Sequence, residues 1–406
     1  MRHFSQLDAE TRQRLFLHEP ARFDRHSAPE MLSAALGATL YSPATRPHLL
    51  ADVRKQVARG VTSMVLCLED AIDDREVEAA EANVVSQLTR LAEEATGPAS
   101  APISASAPPA ASDDWPLLFL RVRHAGQITD LADRLGPALH VLSGFVLPKF
   151  TEESGLPYLE ALAQVRDRTG LRLFAMPVLE SPELAHLESR AETLAGIARV
   201  LEKFREQILA VRLGVTDLSS AYGLRRPPEL TAYDVQLVAS VIGDVVNVLG
   251  RSDGSGFTIT GPVWEYFPVQ ERKFKPQLRN SPFAGTEPPT EEVRRRLIAH
   301  DLDGLIREIE LDRANGLLGK TCIHPSHVPA VHALAVATHE EWSDAVDILH
   351  QDRSGGGVLR SAYTNKMNEV KPHRAWARRV MLRASVFGVA HEDVTFAELL
   401  AACLCP

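Results

Sequence analysis

Cysteine is scarce in this chain: its 406 residues include only four, Cys67, Cys322, Cys403 and Cys405. So few thiols, so unevenly placed, exclude a disulfide framework and a four-ligand zinc site, and they fit a reducing cytoplasm. Long apolar runs are missing as well. No stretch approaches the roughly 20 apolar residues of a membrane span, and the opening MRHFSQLDAETRQRLF is too charged to direct secretion. A soluble protein is expected. Basic blocks are absent too: the formal charge of −9 comes from acidic and basic residues mixed along the chain, so nucleic acid is not an expected partner. No glycine motif of the phosphate-cradling kind stands out.

Apolar side chains make up 45% of the sequence, enough for one large core. Short runs rich in Val, Leu and Phe recur at 36–42 (LGATLYS), 63–69 (SMVLCLE), 117–123 (LLFLRVR) and 143–149 (SGFVLPK). Four more follow at 172–180 (RLFAMPVLE), 209–217 (LAVRLGVTD), 257–264 (FTITGPVW) and 319–325 (GKTCIHP). Segments able to hold a helix separate them. Continuous apolar runs suit strands buried on both faces, and strand–helix alternation implies parallel pairing. Eight such units predict an α/β fold, a (β/α)8 barrel, over residues 35–330.

Residues 1–34 read as an amphipathic helix, a proline-containing break and a second short helix, an N-terminal extension. Residues 331–406 read as a C-terminal helical cap: one helix in HALAVATHEEWSDAVDIL, a flexible SGGG turn, a helix in HRAWARRVMLRASVFG and a last one in VTFAELLAACL. The Ala, Pro and Ser tract 95–114 predicts a disordered insertion. The stretch 265–300, aromatic and basic and then charged, predicts an unusually long loop of the kind that forms lids.

In a barrel of this class the chemistry sits at the C-terminal ends of the strands. There the sequence places Arg46, Glu69, Asp70, Arg121, Arg123, Lys149, Glu180, Asp217, Glu265 and His324. Charge at strand ends is also what solvent exposure produces, so single residues prove little. Glu180 and Asp217, however, close adjacent runs. Both carboxylates can enter one site as oxygen ligands for a hard cation, Mg²⁺ first and Mn²⁺ second. The competing reading is two surface or salt-bridged carboxylates. His324 and His327 in CIHPSH, and the pair Cys403 and Cys405, are insufficient as metal sites.

The pieces LYSPATRP (40–47), VLCLEDAIDD (65–74), FLRVRHAG (119–126), GFVLPK (144–149), VLESP (178–182), RLGVTDLSSAYG (212–223) and GKTCIHPSHV (319–328) occur in that order. Over residues 36–330 the chain resembles the citrate lyase β-subunit-like, malyl-CoA lyase-like branch of the HpcH/HpaI aldolase family. The resemblance implies a barrel with C-terminal helices in a trimer or hexamer. It also implies a carbon–carbon lyase acting on a small keto acid or a hydroxyacyl-CoA thioester. By it, Glu180 and Asp217 match the Mg²⁺ ligands, and Arg121 the arginine that holds the acid end of the substrate. Glu69 and Asp70 match the acidic pair beside the metal and its waters, with Asp70 either helping to organise them or transferring a proton. Arg46 matches an arginine near the substrate or the CoA phosphates, with a helix N-terminal charge as the alternative. Lys149, ending the GFVLPK motif, is a further substrate-binding candidate.

Three departures stand out. Arg123 occupies a position that is Asn in the family, where it either alters the acid recognised or forms an ion pair. The C-terminal motif that carries an Asp reads Met367-Asn368-Glu369-Val370-Lys371-Pro372, so the acid given to a neighbouring subunit is Glu369 or is absent. The exit of the seventh run, GPVWEYF, and the long loop after it differ from those of a typical CoA-ester lyase, which leaves the use of CoA open. Three functions are compatible with these residues: a CoA-ester lyase, an aldolase for free 2-keto acids, and a non-catalytic or regulatory barrel in a larger complex.

Overall fold

The computed structural model describes residues 1–96, 115–267, 302–350 and 356–404. A barrel strand falls on each of the eight apolar runs, the first extending one residue beyond its run: β1 (Ala38–Pro43), β2 (Ser63–Cys67), β3 (Leu117–Arg121), β4 (Gly144–Leu147), β5 (Phe174–Leu179), β6 (Val211–Leu213), β7 (Ile259–Thr260) and β8 (Lys320–Cys322). Sequential strands pair in parallel, and β8 returns to β1. A parallel bridge between Gly261 and Lys320 joins β7 to β8 and closes the ring. The fold is a (β/α)8 barrel.

Side-chain parity explains how continuous apolar runs serve two layers. Successive strand residues point to opposite faces. Met64, Leu66, Leu118, Leu120, Ala175 and Leu179 enter the core between barrel and helices. Their neighbours Val65, Phe119, Met176 and Val178 join the cluster that fills the barrel interior and its N-terminal end. Gly144 on β4 must remain glycine, because a Cβ there would stand 1.9 Å from the Phe174 carbonyl oxygen of β5. The strands could not then pair.

Outside β8, the helix Asp303–Ala314 is fixed by buried charge. The Lys320 ammonium, fully buried, donates to Glu308 Oε1 at 2.9 Å and Asp312 Oδ2 at 2.6 Å. Arg226 and the Ala232 amide also bind Glu308, and the Tyr233 hydroxyl donates to Asp312 Oδ1 at 2.9 Å. Each buried charge is therefore met by partners, the condition for tolerating it.

The termini differ from the sequence reading in three places. Between the N-terminal helices Ala9–Leu15 and Pro29–Ala35 lies a short strand, Phe16–His18, paired antiparallel with Val389–Ala390. HALAVATHEEWSDAVDIL is two helices, Val328–Ala335 and His339–Leu349, separated because Thr338 and Glu341 form a capping box that starts the second. Val358–Arg360 and Met367–Glu369 form a hairpin where only a turn was expected. The helices Val370–Phe387 and Phe396–Leu404 lie where they were predicted. Most of the 95–114 insertion, and the 265–300 loop beyond Phe267, fall outside the described residues. Among the described residues no helix is long and apolar enough to cross a membrane.

Truncating Glu308 to alanine leaves the Lys320 ammonium and the Arg226 guanidinium short of a buried partner. Glu308→Ala should lower the unfolding free energy by about 3–5 kcal/mol in urea titration. A loss below about 1 kcal/mol would show that the network does not secure the helix.

Candidate active site

Period-two parity carries the inward face of each strand into the residues just past its end. Glu69 follows Val65 and Cys67 on one face of β2, Arg121 ends the inward face of β3, and Glu180 follows Met176 and Val178 on β5. All three meet at the C-terminal mouth. Arg121 Nη2 lies 2.7 Å from Glu69 Oε2, 2.9 Å from Glu180 Oε1 and 3.4 Å from Asp70 Oδ2. One guanidinium thus ties together the ends of three strands.

Lys149, just past β4, adds a second cation. Its ammonium donates to Glu69 Oε1 at 2.8 Å and stands 3.6 Å from Asp70 Oδ1, while its backbone N–H donates to Glu180 Oε1 at 3.0 Å. Its φ of 49° is in the left-handed region, unusual for a residue with a side chain. That conformation lets amide and ammonium serve two different carboxylates at once.

Glu180 is buried and lies against Gly214, where a Cβ would fall 2.2 Å from Glu180 Oε2. Both donors to Glu180 use Oε1, so Oε2 takes none from the described residues. Three residues past Gly214, Asp217 sits in the first turn of the helix Val215–Ser220, close enough for its charge to act on both Glu180 and Lys149. The Asp217 carboxylate has no ion pair or side-chain hydrogen bond within the described residues.

The electrostatics follow from this crowding. Burial, with Asp217 and Glu69 adding like charge, pushes Glu180 up to about 7 despite Arg121 beside it. Burial alone would destabilise the Arg121 cation, but Glu180, Tyr41 and Glu69 around it reverse the balance and raise its pKa. The two partners behave differently because Arg121 divides its charge among several acids. Glu69 is held below the usual carboxylate range: burial opposes this, but Arg121, Asp70 and Lys149 outweigh it. Asp70 is raised by burial and by Glu69.

Six of the sequence-derived residues are therefore brought together: Glu69, Asp70, Arg121, Lys149, Glu180 and Asp217. Three are not. Arg46 is exposed and bound to Asp52 at 2.6 Å. Arg123 donates to the Leu68 carbonyl at 2.8 Å and to Asp74 at 2.6 Å, the ion-pair alternative. Glu369 is exposed on the C-terminal hairpin, its N–H donating to His373. Glu265 accepts from Thr216 at 3.0 Å. His324 stacks on Phe267, and the His327 ring bonds the Tyr266 carbonyl. Sequence reasoning gave no role to Gly214, Tyr41 or Arg212, although all three lie within quoted motifs.

A closed parallel barrel whose strand ends gather carboxylates around an arginine has the architecture of a (β/α)8 enzyme. The chain belongs to the C-C_Bond_Lyase family of the TIM-Barrel fold, whose model matches residues 30–389. It is a carbon–carbon lyase, in agreement with the motif resemblance. No curated protein matches the sequence. Among solved structures, it is similar to CitE of Mycobacterium tuberculosis in complex with magnesium, acetoacetate and coenzyme A, at 19% identity and TM-score 0.50, over 87% of this chain and 99% of that one. The malate synthase of Haloferax volcanii matches at 14% identity and TM-score 0.48, over 77% of this chain and 75% of that one. RipC from Yersinia pestis matches at 15% and 0.43, over 74% and 95%.

The pH behaviour of Glu180 is directly measurable. In metal-free protein it protonates near 7 when folded, against 4.5 ordinarily. The fold therefore holds an extra proton between those values. The stability this group supplies is full below about 4.5 and is lost as pH rises through about 7. Relative to wild type, Glu180→Gln should gain melting temperature from pH 5 to pH 8 in chelator. A difference that does not change with pH would contradict this.

Proposed function

We propose that the lyase makes or breaks the carbon–carbon bond beside the carbonyl of a 2-keto acid or an acyl-CoA, with Mg²⁺ held by Glu180 and Asp217. The observation that carries this reading is a charge imbalance. Among the described residues four carboxylates, Glu69, Asp70, Glu180 and Asp217, share two cations, Arg121 and Lys149. Among the described residues neither Glu180 Oε2 nor the Asp217 carboxylate receives a side-chain donor. Among the described residues no group of three or more His, Cys, Asp or Glu side chains is arranged to hold a metal. Two carboxylates nevertheless suffice for Mg²⁺, which keeps several waters and substrate oxygens. Mn²⁺ is the natural substitute.

When bound, the cation supplies Lewis-acid polarisation of the substrate carbonyl. The protein's own groups do the rest. Arg121, a planar donor, orients the carboxylate of the keto acid, and Lys149 adds positive charge at the rim. In the cleavage direction a base takes the proton of the hydroxyl on the departing fragment. The electron pair of the breaking bond passes to the carbon next to the carbonyl, giving an enolate. Asp70, half exposed and within 3.4 Å of Arg121 and 3.6 Å of Lys149, is the candidate base. Condensation runs the same transfers backwards.

Coenzyme A belongs among the probes because the CitE structure contains it. An aldolase for free keto acids is the second reading, favoured by the Arg46–Asp52 pair, which engages an arginine that the CoA-binding reading assigns to ligand. A homo-oligomer in a reducing cytoplasm completes the proposal, and the free, buried thiols of Cys67, Cys322 and Cys403 fit that compartment.

Calorimetric titration with Mg²⁺ or Mn²⁺ plus pyruvate, oxaloacetate or glyoxylate, then with acetyl-CoA, tests the reading. Metal-dependent keto acid binding is expected in wild type and is expected to fall below detection in Asp217→Asn. Acetyl-CoA binding would select the thioester reading over the free-acid one. No binding in any arm would favour the regulatory barrel. Arg121→Lys keeps the charge but loses the planar donor, and should weaken keto acid binding at least about tenfold; unchanged affinity would remove Arg121 from the substrate.

A further inference from the structure

Below the carboxylates the barrel interior contains a second guanidinium. Arg212 of β6 is 1% exposed, and among the described residues it meets no carboxylate. Its terminal nitrogens donate to Thr321 Oγ1 at 2.6 Å, Thr39 Oγ1 at 3.4 Å and Met176 Sδ at 3.6 Å, and its Nε has no partner among the described residues. Branched apolar residues usually fill this layer of a barrel. A buried cation compensated only by neutral groups opposes folding, so packing alone does not account for it.

What lies against Arg212 suggests its use. Its guanidinium carbon is 5.6 Å from the centroid of the Tyr41 ring, within cation–π range. Tyr41 shares the inward face of β1 with Thr39 and lies two residues nearer the mouth. It is half-buried, and its hydroxyl makes no hydrogen bond to a described residue. The charges that act on that hydroxyl include Arg212, Arg121 and Glu180, so the phenol belongs to the same mouth as the proposed metal ligands. Arg121 Nε, buried in that mouth, also lacks a partner among the described residues. Burial keeps the phenol protonated against the pull of the two guanidiniums, so it is available as a donor.

We propose that Tyr41 is a further catalytic residue, donating its hydroxyl hydrogen bond to the substrate oxygen on which negative charge develops, and that Arg212 is a positioning residue holding the ring from below. A fixed donor aimed at developing charge stabilises the transition state without reorganising at the moment of reaction. The ligand class is a planar keto acid or its enolate. This inference rests on the lyase reading above.

Oxalate, a planar dianion resembling the enolate of pyruvate, is the probe, titrated into the full chain with Mg²⁺ while melting temperature is recorded. A hydrogen bond to a charged group predicts that Tyr41→Phe weakens oxalate binding about tenfold or more at unchanged melting temperature. Arg212→Met should weaken it by a smaller factor while melting temperature holds or rises, and Arg212→Lys should recover part of the loss. Equal oxalate affinity in wild type and Tyr41→Phe, with binding still lost in Asp217→Asn, overturns this proposal and leaves the lyase reading standing. Arg212→Met that melts lower yet binds normally overturns the positioning role. Wild type without Mg²⁺-dependent oxalate binding overturns both readings.

Discussion

One guanidinium organises the mouth of this barrel. Arg121 contacts Glu69, Glu180 and Asp70 through a single terminal nitrogen, so three acids crowd around a charge that can balance only one. The excess appears in the titration of the acids. Glu69, which also receives Lys149, remains easily ionised, whereas buried Glu180 is pushed up to about 7. A divalent cation would supply the two charges the cluster lacks. The proposed chemistry follows from that deficit more than from any one residue.

The backbone is built to permit this crowding. Parallel pairing brings the ends of β2, β3, β4 and β5 side by side, and period-two alternation turns one residue at each end inward. Gly214 omits the Cβ that would collide with Glu180 Oε2, and Lys149 takes a left-handed conformation that gives two carboxylates a donor each. Below them, Lys320 with Glu308 and Asp312 anchors an outer helix to the last strand. The barrel is thereby held closed next to Arg212 and Thr321.

The eight strands were legible because a buried parallel strand leaves a mark in the sequence: a short, uninterrupted apolar run ending in charge. Six of the nine site residues picked from the sequence come together for the same reason, since strand ends in a barrel must converge. Arg46 and Arg123 read identically at that level. Their partners Asp52 and Asp74 lie on local segments whose orientation the apolar pattern does not encode. Glu369 was chosen by motif position alone, and its hairpin carries no strong period. Tyr41 and Arg212 went unassigned because an interior strand position resembles core, and only the fold shows that Arg212 is buried with no carboxylate among the described residues. The Phe16–His18 strand was missed because three residues give no readable alternation, and its partner lies at the other end of the chain.

The most direct test of the two-carboxylate metal site is anomalous diffraction from crystals of the protein soaked in Mn²⁺. One strong peak is expected between the Glu180 and Asp217 carboxylates, absent from crystals of Asp217→Asn grown and soaked in the same way. A strong peak elsewhere, or an empty mouth with both carboxylates facing only Arg121 and Lys149, would contradict it.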